Sequence, residues 1–316
     1  MGKDYPISIL PLTPAIYSKI TKFKPDIVHT HHPYHIGFFA NFISETLKIP
    51  LVFTYHTKHD YYATKYFKFL PNDLKKKFIE YSVLDFCKKC SLVVAPSETI
   101  QKYLNRSKIR NTKIVPSVVD DLKKLRLTKL TLRKKLKLPL KKIILLYVGR
   151  LAPEKSPMLL LNSLKYLDKN YHLVICGSGP IEANMKKKVA LLGIKKQVSF
   201  IGSVDREKLG AYYSMADYLY YASKSETQGV VYWEALHFGL PIVSVDSSVA
   251  REWVTNKFGE LTESKADKLA EGVIKISKKK YSLLSKNAVT FSKKFSSQKT
   301  ARQMVKVYEN LINKND

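Results

Sequence analysis

The chain has 316 residues, of which 45% are hydrophobic and 26% charged, so a disordered chain and a collagen-like repeat are excluded and two domains are expected. The three cysteines are too few for a disulfide-held scaffold, and no apolar run approaches the roughly 18 residues that a membrane span needs. The formal net charge of +29 favours an acidic partner: nucleic acid, an acidic substrate or an anionic membrane face.

Short β-branched runs alternate with helix-length amphipathic stretches from about Asp26 onward, a pattern typical of βαβ units with a parallel sheet. A helix is expected from Leu74 to Phe86. Cys87 and Cys90 follow it, and we interpret them as small residues on one helical face, because zinc would need further soft ligands. The first unit has four predicted strands: Ile27–Val28, Leu51–Thr54, Leu92–Ala95 and Lys113–Val115.

A second parallel sheet is predicted after the lysine-rich stretch 121–142, which interrupts the alternation. Its expected strands are Ile143–Val148, His172–Ile175, Val198–Phe200, Tyr218–Tyr221 and Ile242–Ser244, and its expected helices are Pro157–Leu167, Ile181–Leu192 and Val230–Phe238. From about Ala266 the polar tail is predicted to form helices. Because ligands bind at the carboxyl ends of parallel strands, two such units in tandem predict a site in a cleft between them.

A glycine and two cations follow the first strand of the second sheet. Gly149 and Arg150 come directly after it, and Lys155 lies just before the next predicted helix. Close backbone approach, fixed positive charge and a helix start together predict a diphosphate site, although surface cations are an alternative. Gly177, in the turn Gly177-Ser178-Gly179-Pro180 after the next strand, is a similar candidate, unless its role is backbone geometry alone.

Two carboxylates eight residues apart mark another strand-to-helix connection. Glu226 lies on the loop after a predicted strand, and Glu234 lies two turns into the following helix. Carboxylates accept paired hydrogen bonds from vicinal hydroxyls, and the amides of Thr227, Gln228 and Gly229 can face an anion or a hydroxyl. The pattern indicates a sugar-nucleotide site, while an equal alternative makes both carboxylates ordinary surface and helix-dipole charges.

Histidines are concentrated in the first unit, which holds six of the eight: His29, His31, His32, His35, His56 and His59. A zinc cluster is disfavoured because cysteine and acidic companions at metal spacing are lacking. A single histidine that polarises or protonates a substrate group is the preferred interpretation.

In this order and spacing the motifs resemble the retaining glycosyltransferases of family 4: Gly149-Arg150 with Glu154-Lys155, Gly177-Ser178-Gly179-Pro180, and Glu226 with Glu234 after seven residues. The resemblance extends from Pro25 to about Gly259. It implies an α/β protein of the GT-B fold, with two Rossmann-like parallel-sheet domains facing a cleft.

The domain boundaries expected from this resemblance are 1–138 for an acceptor-side, membrane-facing domain, 139–295 for a nucleotide-sugar domain, and 296–316 for a C-terminal helix that returns towards the first domain. Family members open with a glycine-rich βα turn near the donor phosphates. We therefore expect the first domain to be incomplete at its N-terminus by about sixty residues. Ser156 stands where glycine is common in the family.

Within the family, the segments 25–33, 53–57 and 226–231 look most like the diacylglycerol glucosyltransferases. The resemblance implies that Arg150 and Lys155 hold the donor diphosphate and stabilise it as the leaving group. Glu234 would bind the ribose hydroxyls, and Glu226 with the amides of Gln228 and Gly229 would bind the sugar. His56 matches the histidine that faces the transferred sugar. The expected donor-binding set is completed by Gly149, Gly177 and Thr227.

The resemblance implies a retaining reaction that needs no metal ion or other cofactor, in which the leaving phosphate takes the acceptor's proton. The lack of an Asp-x-Asp metal motif agrees with this. We expect transfer of glucose from UDP-glucose to a lipid such as diacylglycerol. The alternatives are a soluble or polysaccharide acceptor, or an inactive, basic peripheral membrane protein that keeps the fold.

The charge pattern fits an anionic membrane surface, although solvated lysines spread over the whole surface are an equal alternative. Residues 1–138 carry 26 basic and 10 acidic side chains, and the segment 61–70 interleaves aromatic residues with lysines. Single-stranded nucleic acid would also fit that segment, but it would not call for Glu226 and Glu234. An acid and a proline within the first six residues disfavour a signal peptide, so a cytoplasmic protein on the inner membrane face is expected.

Overall fold

The computed structural model describes residues 14–56, 71–117 and 122–313. Their contacts divide the chain into two compact units. The first unit comprises Met1–Pro116 together with Gln298–Asp316, and the second comprises Ser117–Ser297. The last residues of the chain therefore belong with the first ones.

Helices and strands alternate through both units. The strands of the described residues are β1 Val28–Thr30, β2 Leu51–Thr54, β3 Leu92–Ala95, β4 Thr112–Ile114, β5 Ile143–Val148, β6 Tyr171–Cys176, β7 Val198–Gly202, β8 Tyr218–Tyr221, β9 Ile242–Val245 and β10 Gly259–Thr262. The α-helices are α1 Pro14–Phe23, α2 His35–Leu47, α3 Asn72–Lys89, α4 Glu98–Arg106, α5 Lys129–Lys135, α6 Pro157–Ser163, α7 Glu182–Leu191, α8 Arg206–Met215, α9 Val230–His237, α10 Ser248–Trp253, α11 Ala266–Ser277, α12 Tyr281–Ser292 and α13 Ser297–Ile312.

The first unit is built on a parallel sheet in which the strands follow one another in chain order, β1-β2-β3-β4. Side chains alternate between the two faces of a strand, and the core follows this period of two. Leu51 and Phe53 belong to the larger buried cluster, whereas Val52 and Val94 pack with Val307 of α13. The final helix therefore covers one face of this sheet.

The second unit contains a parallel sheet of six strands in the order β10-β9-β8-β5-β6-β7. The strand order reverses at β5, because β6 and β7 extend the sheet on one side and β8 to β10 extend it on the other. In open parallel sheets, ligands bind outside the carboxyl ends of the strands at such a reversal. A ligand site is therefore expected at the loops after β5 and β8.

Helix α5, in the stretch that interrupts the predicted alternation, belongs to the second unit. The buried Arg133 donates from Nε to the Met215 carbonyl at 3.0 Å and from Nη2 to Asp217 Oδ2 at 2.6 Å. Lys129 Nζ donates to the other carboxylate oxygen of Asp217, which stands directly before β8, at 2.9 Å. These contacts tie α5 to the second sheet. The division of the chain accordingly falls after Pro116, whereas the sequence placed it after residue 138.

The sequence prediction of two parallel-sheet, Rossmann-like domains is confirmed, and each of the nine predicted strands overlaps one of β1 to β9. Strand β10 was not predicted, because its sequence Gly-Glu-Leu-Thr has neither an apolar run nor a clear alternation. In the described parts of the chain, no helix combines the length and the hydropathy needed to cross a membrane.

Candidate functional site

The loops that follow β5 and β8 meet at one edge of the second sheet, because these strands are parallel neighbours. Lys155 Nζ on the first loop donates to Glu226 Oε1 on the second at 2.6 Å. Ser225 Oγ donates to the carbonyl of Glu154 at 3.1 Å, which joins the same two loops a second time. The structure thus brings together a cation and a carboxylate that the sequence separates by 71 positions.

Glu226 has a second donor from the strand that precedes it. The hydroxyl of Tyr221, the last residue of β8, donates to Glu226 Oε1 at 2.8 Å. Burial of the Tyr221 ring raises its pKa, and the nearby charge of Glu226 raises it further. The hydroxyl therefore stays protonated and remains a donor over the physiological pH range.

Two stacked tyrosine rings lie on the strands that lead into these two loops. The rings of Tyr147 on β5 and Tyr221 on β8 lie 5.5 Å apart between centroids with an interplanar angle of 20°. The Tyr147 hydroxyl donates to the Arg150 carbonyl at 2.8 Å, which fixes the backbone at this cation. Arg150 Nη1 lies 4.0 Å from Glu154 Oε1. Arg150, Lys155 and Glu226 are therefore all carried by loops that the stacked rings anchor.

The glycine turn after β6 packs directly against the loop after β5. A Cβ atom on Gly177 would lie 1.9 Å from the carbonyl oxygen of Gly149, and one on Gly179 would lie 2.3 Å from that of Leu151. The Leu151 N–H donates to the Ser178 carbonyl at 2.9 Å, so the contact is from backbone to backbone. Gly177 thus sets the position of the Gly149 loop, as the backbone interpretation of this turn predicts.

Ser156 shows why glycine would suit this loop. It has φ 49° and ψ 37°, a left-handed conformation, between the 3₁₀ turn Pro153–Lys155 and the start of α6. Glycine adopts this conformation without the steric cost that a Cβ atom brings.

Glu234 on α9 is buried, and both of its oxygens already have donors. Arg206 Nη1 donates to Oε1 at 2.6 Å, and the Tyr213 hydroxyl donates to Oε2 at 2.6 Å. Each oxygen retains a further lone pair for a ligand hydroxyl. Sequence reasoning missed Arg206 and Tyr213. Their spacing of seven places them on one face of α8, but the sequence does not say that this face meets Glu234.

The side chain of Gln228 binds the backbone of Ser117, a contact that the sequence did not indicate. Its carboxamide accepts from the Ser117 N–H at 2.9 Å and donates to the Ser117 carbonyl at 3.0 Å. The Gln228 carbonyl in turn accepts from the Trp253 indole at 2.6 Å. Because its side chain and its carbonyl have these partners, the predicted contact of Gln228 with the sugar falls to its backbone N–H. Gly229 follows with φ 72° at the start of α9, and Thr227 is half-buried just before them.

Three of the predicted histidines come together at the carboxyl ends of β1 and β2 in the first unit. His29 Nε2 lies 2.7 Å from Thr54 Oγ1, and His29 Nδ1 lies 2.6 Å from the Tyr308 hydroxyl. His31 Nδ1 lies 2.8 Å from His56 Nε2, so one of these rings donates and the other accepts. The tautomer of His56 is therefore coupled to that of His31.

Burial lowers the pKa of all three rings. The pKa of His29 falls to about 4, and the neighbouring His31 and His56 add to the effect. The pKa values of His31 and His56 are lowered in the same direction by burial. The cluster is therefore neutral near pH 7. Of the other three histidines of this region, His32 and His35 are exposed, and His59 lies outside the described residues.

The three cysteines are buried, and Cys87 and Cys90 lie at the end of α3. Burial raises the pKa of Cys87 to about 12, so its thiol is protonated and unreactive. Within residues 14–56, 71–117 and 122–313, no group of three His, Cys, Asp or Glu side chains is arranged to hold a metal ion.

Two family descriptions match this chain. Residues 128–295 match the family described as Glycosyl transferases group 1, and residues 2–121 match the one described as Glycosyltransferase Family 4. The first match covers the second sheet with all the loops described above. The second match covers the histidine cluster.

Curated relatives include two proteins named alpha-monoglucosyldiacylglycerol synthase. The protein from Streptococcus pneumoniae is 29% identical over 253 residues, which cover 76% of this chain and 56% of the relative. The protein from Acholeplasma laidlawii is 29% identical over 314 residues, which cover 94% of this chain and 78% of the relative. Sulfoquinovosyl transferase SQD2 from Arabidopsis thaliana is 29% identical over 245 residues, which cover 74% of this chain and 45% of the relative. The chain thus spans about half the length of two of these relatives.

Solved structures share the fold. Anabaena Alr3699/HepE in complex with UDP has a TM-score of 0.78 at 19% identity, covering 95% of this chain and 83% of that one. Sucrose-phosphate synthase from Thermosynechococcus elongatus has a TM-score of 0.76 at 22% identity, covering 95% of this chain and 77% of that one. These similarities confirm the predicted GT-B fold.

Proposed function

The chain belongs to the glycosyl transferases group 1 family, and on this basis we propose that it transfers glucose from UDP-glucose to a lipid acceptor such as diacylglycerol, with retention at the anomeric carbon. The observation that carries the proposal is the pairing of Lys155 with Glu226 across the loops after β5 and β8. A cation and a carboxylate at the strand reversal suit a ligand that has both a diphosphate and hydroxyl groups.

Arg150 and Lys155 are assigned to the donor diphosphate. In the reaction the bond between the anomeric carbon and the diphosphate breaks, and the acceptor oxygen bonds to that carbon on the same face. The acceptor's proton passes to the leaving phosphate. Negative charge develops on the diphosphate during this step, and the two positive side chains stabilise it there. The proposal includes no metal ion or cofactor.

The two carboxylates are assigned to the donor's hydroxyl groups. Glu226, with the backbone amides of Gln228 and Gly229 beside Thr227, would bind the sugar. Glu234 would bind the ribose through the lone pairs that Arg206 and Tyr213 leave available. Gly149 and Gly177 would contribute to the same donor site through their backbone, because the missing Cβ atom of Gly177 lets its turn lie directly against the Gly149 loop.

His56 is assigned to the transferred sugar. Its lowered pKa keeps the ring neutral near pH 7, so it would contribute a hydrogen bond and not a charge. The contact with His31 supports this assignment, since it limits the orientations that the His56 ring can adopt.

The names of the curated relatives and the surface of the first unit support a lipid acceptor at an anionic membrane. Exposed aromatic side chains occur on two helices whose rings meet, because Phe38 of α2 lies 6.5 Å from Phe86 of α3 between centroids. The exposed aromatic residues of these helices are Phe38, Phe42, Phe78 and Tyr81. Lysines beside such rings suit an anionic lipid interface, and we propose peripheral binding at the cytoplasmic face. The segment 61–70, in which aromatic residues and lysines are interleaved, lies outside the described residues.

Calorimetry with UDP-glucose and GDP-mannose, followed by measurement of UDP release, tests this function. Phosphatidylglycerol vesicles with diacylglycerol, the same vesicles without it, and soluble sugars would serve as acceptors. Release only in the presence of diacylglycerol supports the proposal. Release with soluble sugars alone would overturn the lipid acceptor, and donor binding without release would overturn the transfer reaction.

Site variants provide the matched control. We expect Lys155→Ala and Glu226→Ala to lower turnover by about a hundredfold, the scale of losing one stabilising contact at the leaving group or the sugar. Lys186 makes an ion pair of the same 2.6 Å length with Glu182, but on the exposed face of α7. Lys186→Ala should therefore leave turnover at the wild-type value, and equal losses in all three variants would refute the site.

A further inference from the structure

We infer that Tyr221 and Tyr213 are positioning residues, each of which orients one carboxylate of the candidate site, Tyr221 acting on Glu226 and Tyr213 on Glu234. The inference rests on the proposed function, because it uses the parts of the donor assigned to these carboxylates. It adds two buried residues that are not among those assigned to the donor.

The same two kinds of donor, a tyrosine hydroxyl and a cation, occur at both carboxylates, although they share Oε1 of Glu226 and bond to different oxygens of Glu234. Glu226 accepts from one tyrosine hydroxyl at 2.8 Å and from one cation, Lys155, at 2.6 Å. Glu234 accepts from one tyrosine hydroxyl at 2.6 Å and from one cation, Arg206, at 2.6 Å. The two tyrosines come from different elements, β8 and α8. The pairing of a carboxylate with a tyrosine and a cation therefore occurs in two different local structures.

The tyrosine and the cation differ in exposure. Tyr221 and Tyr213 are buried, whereas the side chains of Lys155 and Arg206 are 23% and 40% exposed. Burial raises the pKa of both tyrosines, so their hydroxyls stay protonated and donate without adding charge. The tyrosine is therefore the fixed partner, and the cation is the one that can turn towards a ligand.

This difference matters when a diphosphate arrives. Lys155 would then share its charge with the phosphates, and the hydrogen bond that it gives to Glu226 would weaken. A shielded carboxylate that loses its hydrogen-bond donors raises the free energy of the complex, and one remaining hydrogen bond reduces that cost. Tyr221 supplies this bond, and it keeps the carboxylate aimed at the sugar while Lys155 is engaged.

Loss of the Tyr221 hydroxyl and loss of the Tyr213 hydroxyl should affect ligand binding differently, because UDP contains the ribose but not the transferred sugar. Removing the Tyr221 hydroxyl should disturb only Glu226, and thus weaken UDP-glucose but not UDP. Removing the Tyr213 hydroxyl should disturb Glu234, and thus weaken both ligands by the same factor. A tyrosine that serves stability alone would not separate the ligands in this way.

Calorimetry on the full chain with UDP and UDP-glucose tests the inference in Tyr221→Phe and Tyr213→Phe. We expect Tyr221→Phe to weaken UDP-glucose about tenfold with UDP unchanged, and Tyr213→Phe to weaken both about tenfold, the usual scale for one hydrogen bond to a charged group. Tyr220→Phe is the control. It removes a buried hydroxyl from the same strand, but that hydroxyl bonds to Ser163 and not to a carboxylate.

Wild-type affinities in both phenylalanine variants would overturn the inference, as would a uniform loss that Tyr220→Phe shares. If the wild-type protein bound neither ligand, the proposed function itself would be overturned. Thermal unfolding shows which variants fold, and each substitution removes one oxygen while keeping the ring. If one variant does not fold, the ligand affinities of the other variant still test the inference, because the two tyrosines lie on different elements and the same role is proposed for both.

Discussion

Substituting Gly177 by alanine would test whether the packing of two backbones sets the candidate site. The new Cβ atom would lie 1.9 Å from the Gly149 carbonyl oxygen, more than 1 Å closer than the 3.0 Å that real Cβ atoms keep. The neighbour is backbone and cannot rotate away. The loop after β5, which carries Arg150 and Lys155, would have to move instead.

The cost of this substitution follows from two contributions. Forcing an extra methyl group into a packed interior costs about 1–3 kcal/mol, and holding a side chain at the positive φ of Gly177 costs about 1–3 kcal/mol more. We therefore expect a loss of about 4 kcal/mol in the free energy of unfolding. Gly193 after α7 also has a positive φ but has no atom within 4 Å of the added Cβ position. Gly193→Ala should cost only about 1–2 kcal/mol.

Urea denaturation of both variants, together with calorimetry for UDP, would measure the difference. We expect Gly177→Ala to be the less stable variant and to lose UDP affinity, because its loop has been displaced. Gly193→Ala should bind UDP as the wild-type protein does. Equal stability in the two variants, with normal UDP binding in both, would refute the argument that backbone contact places the loop.

Two further predictions concern stability. Ser156→Gly should raise the free energy of unfolding by about 0.5–1 kcal/mol in urea denaturation, since it removes the left-handed strain, and no gain would contradict the argument from strain. Because burial lowers the pKa of His29 to about 4, the unfolded protein takes up this proton first, and stability should fall as the pH falls from about 6.5 towards 4. Denaturation across this range should show a shallower decline in His29→Gln, and an identical slope would argue against a neutral buried ring.

Periodicity was sufficient to predict most of the fold. Buried parallel strands are short apolar runs, and Ile143–Val148 and Leu51–Thr54 were predicted with the bounds that the structure has. Strand β10 has two partly buried positions and a charged residue, so its sequence lacks this pattern. The unit to which α5 belongs depends on the long-range contacts of Arg133, which no local pattern encodes.

The candidate site was predictable only in part, because the motifs mark loops but not the residues beneath them. The structure brings Lys155 to Glu226 as neighbouring strand ends require, yet the tyrosines that hold the carboxylates sit in ordinary core positions. Apolar packing alone would explain an aromatic residue at the end of β8. The added hydroxyl becomes informative only when its partner is known.

The pairing of Gln228 with Ser117 has a consequence for comparing sequences of this family. The side chain of Gln228 grips both polar groups of the Ser117 peptide backbone, where the second unit begins. Any residue with a free N–H at position 117 could be held in the same way, and only proline would fail. The two positions are therefore under no pressure to change together, and this physical link would leave no trace in patterns of correlated substitution.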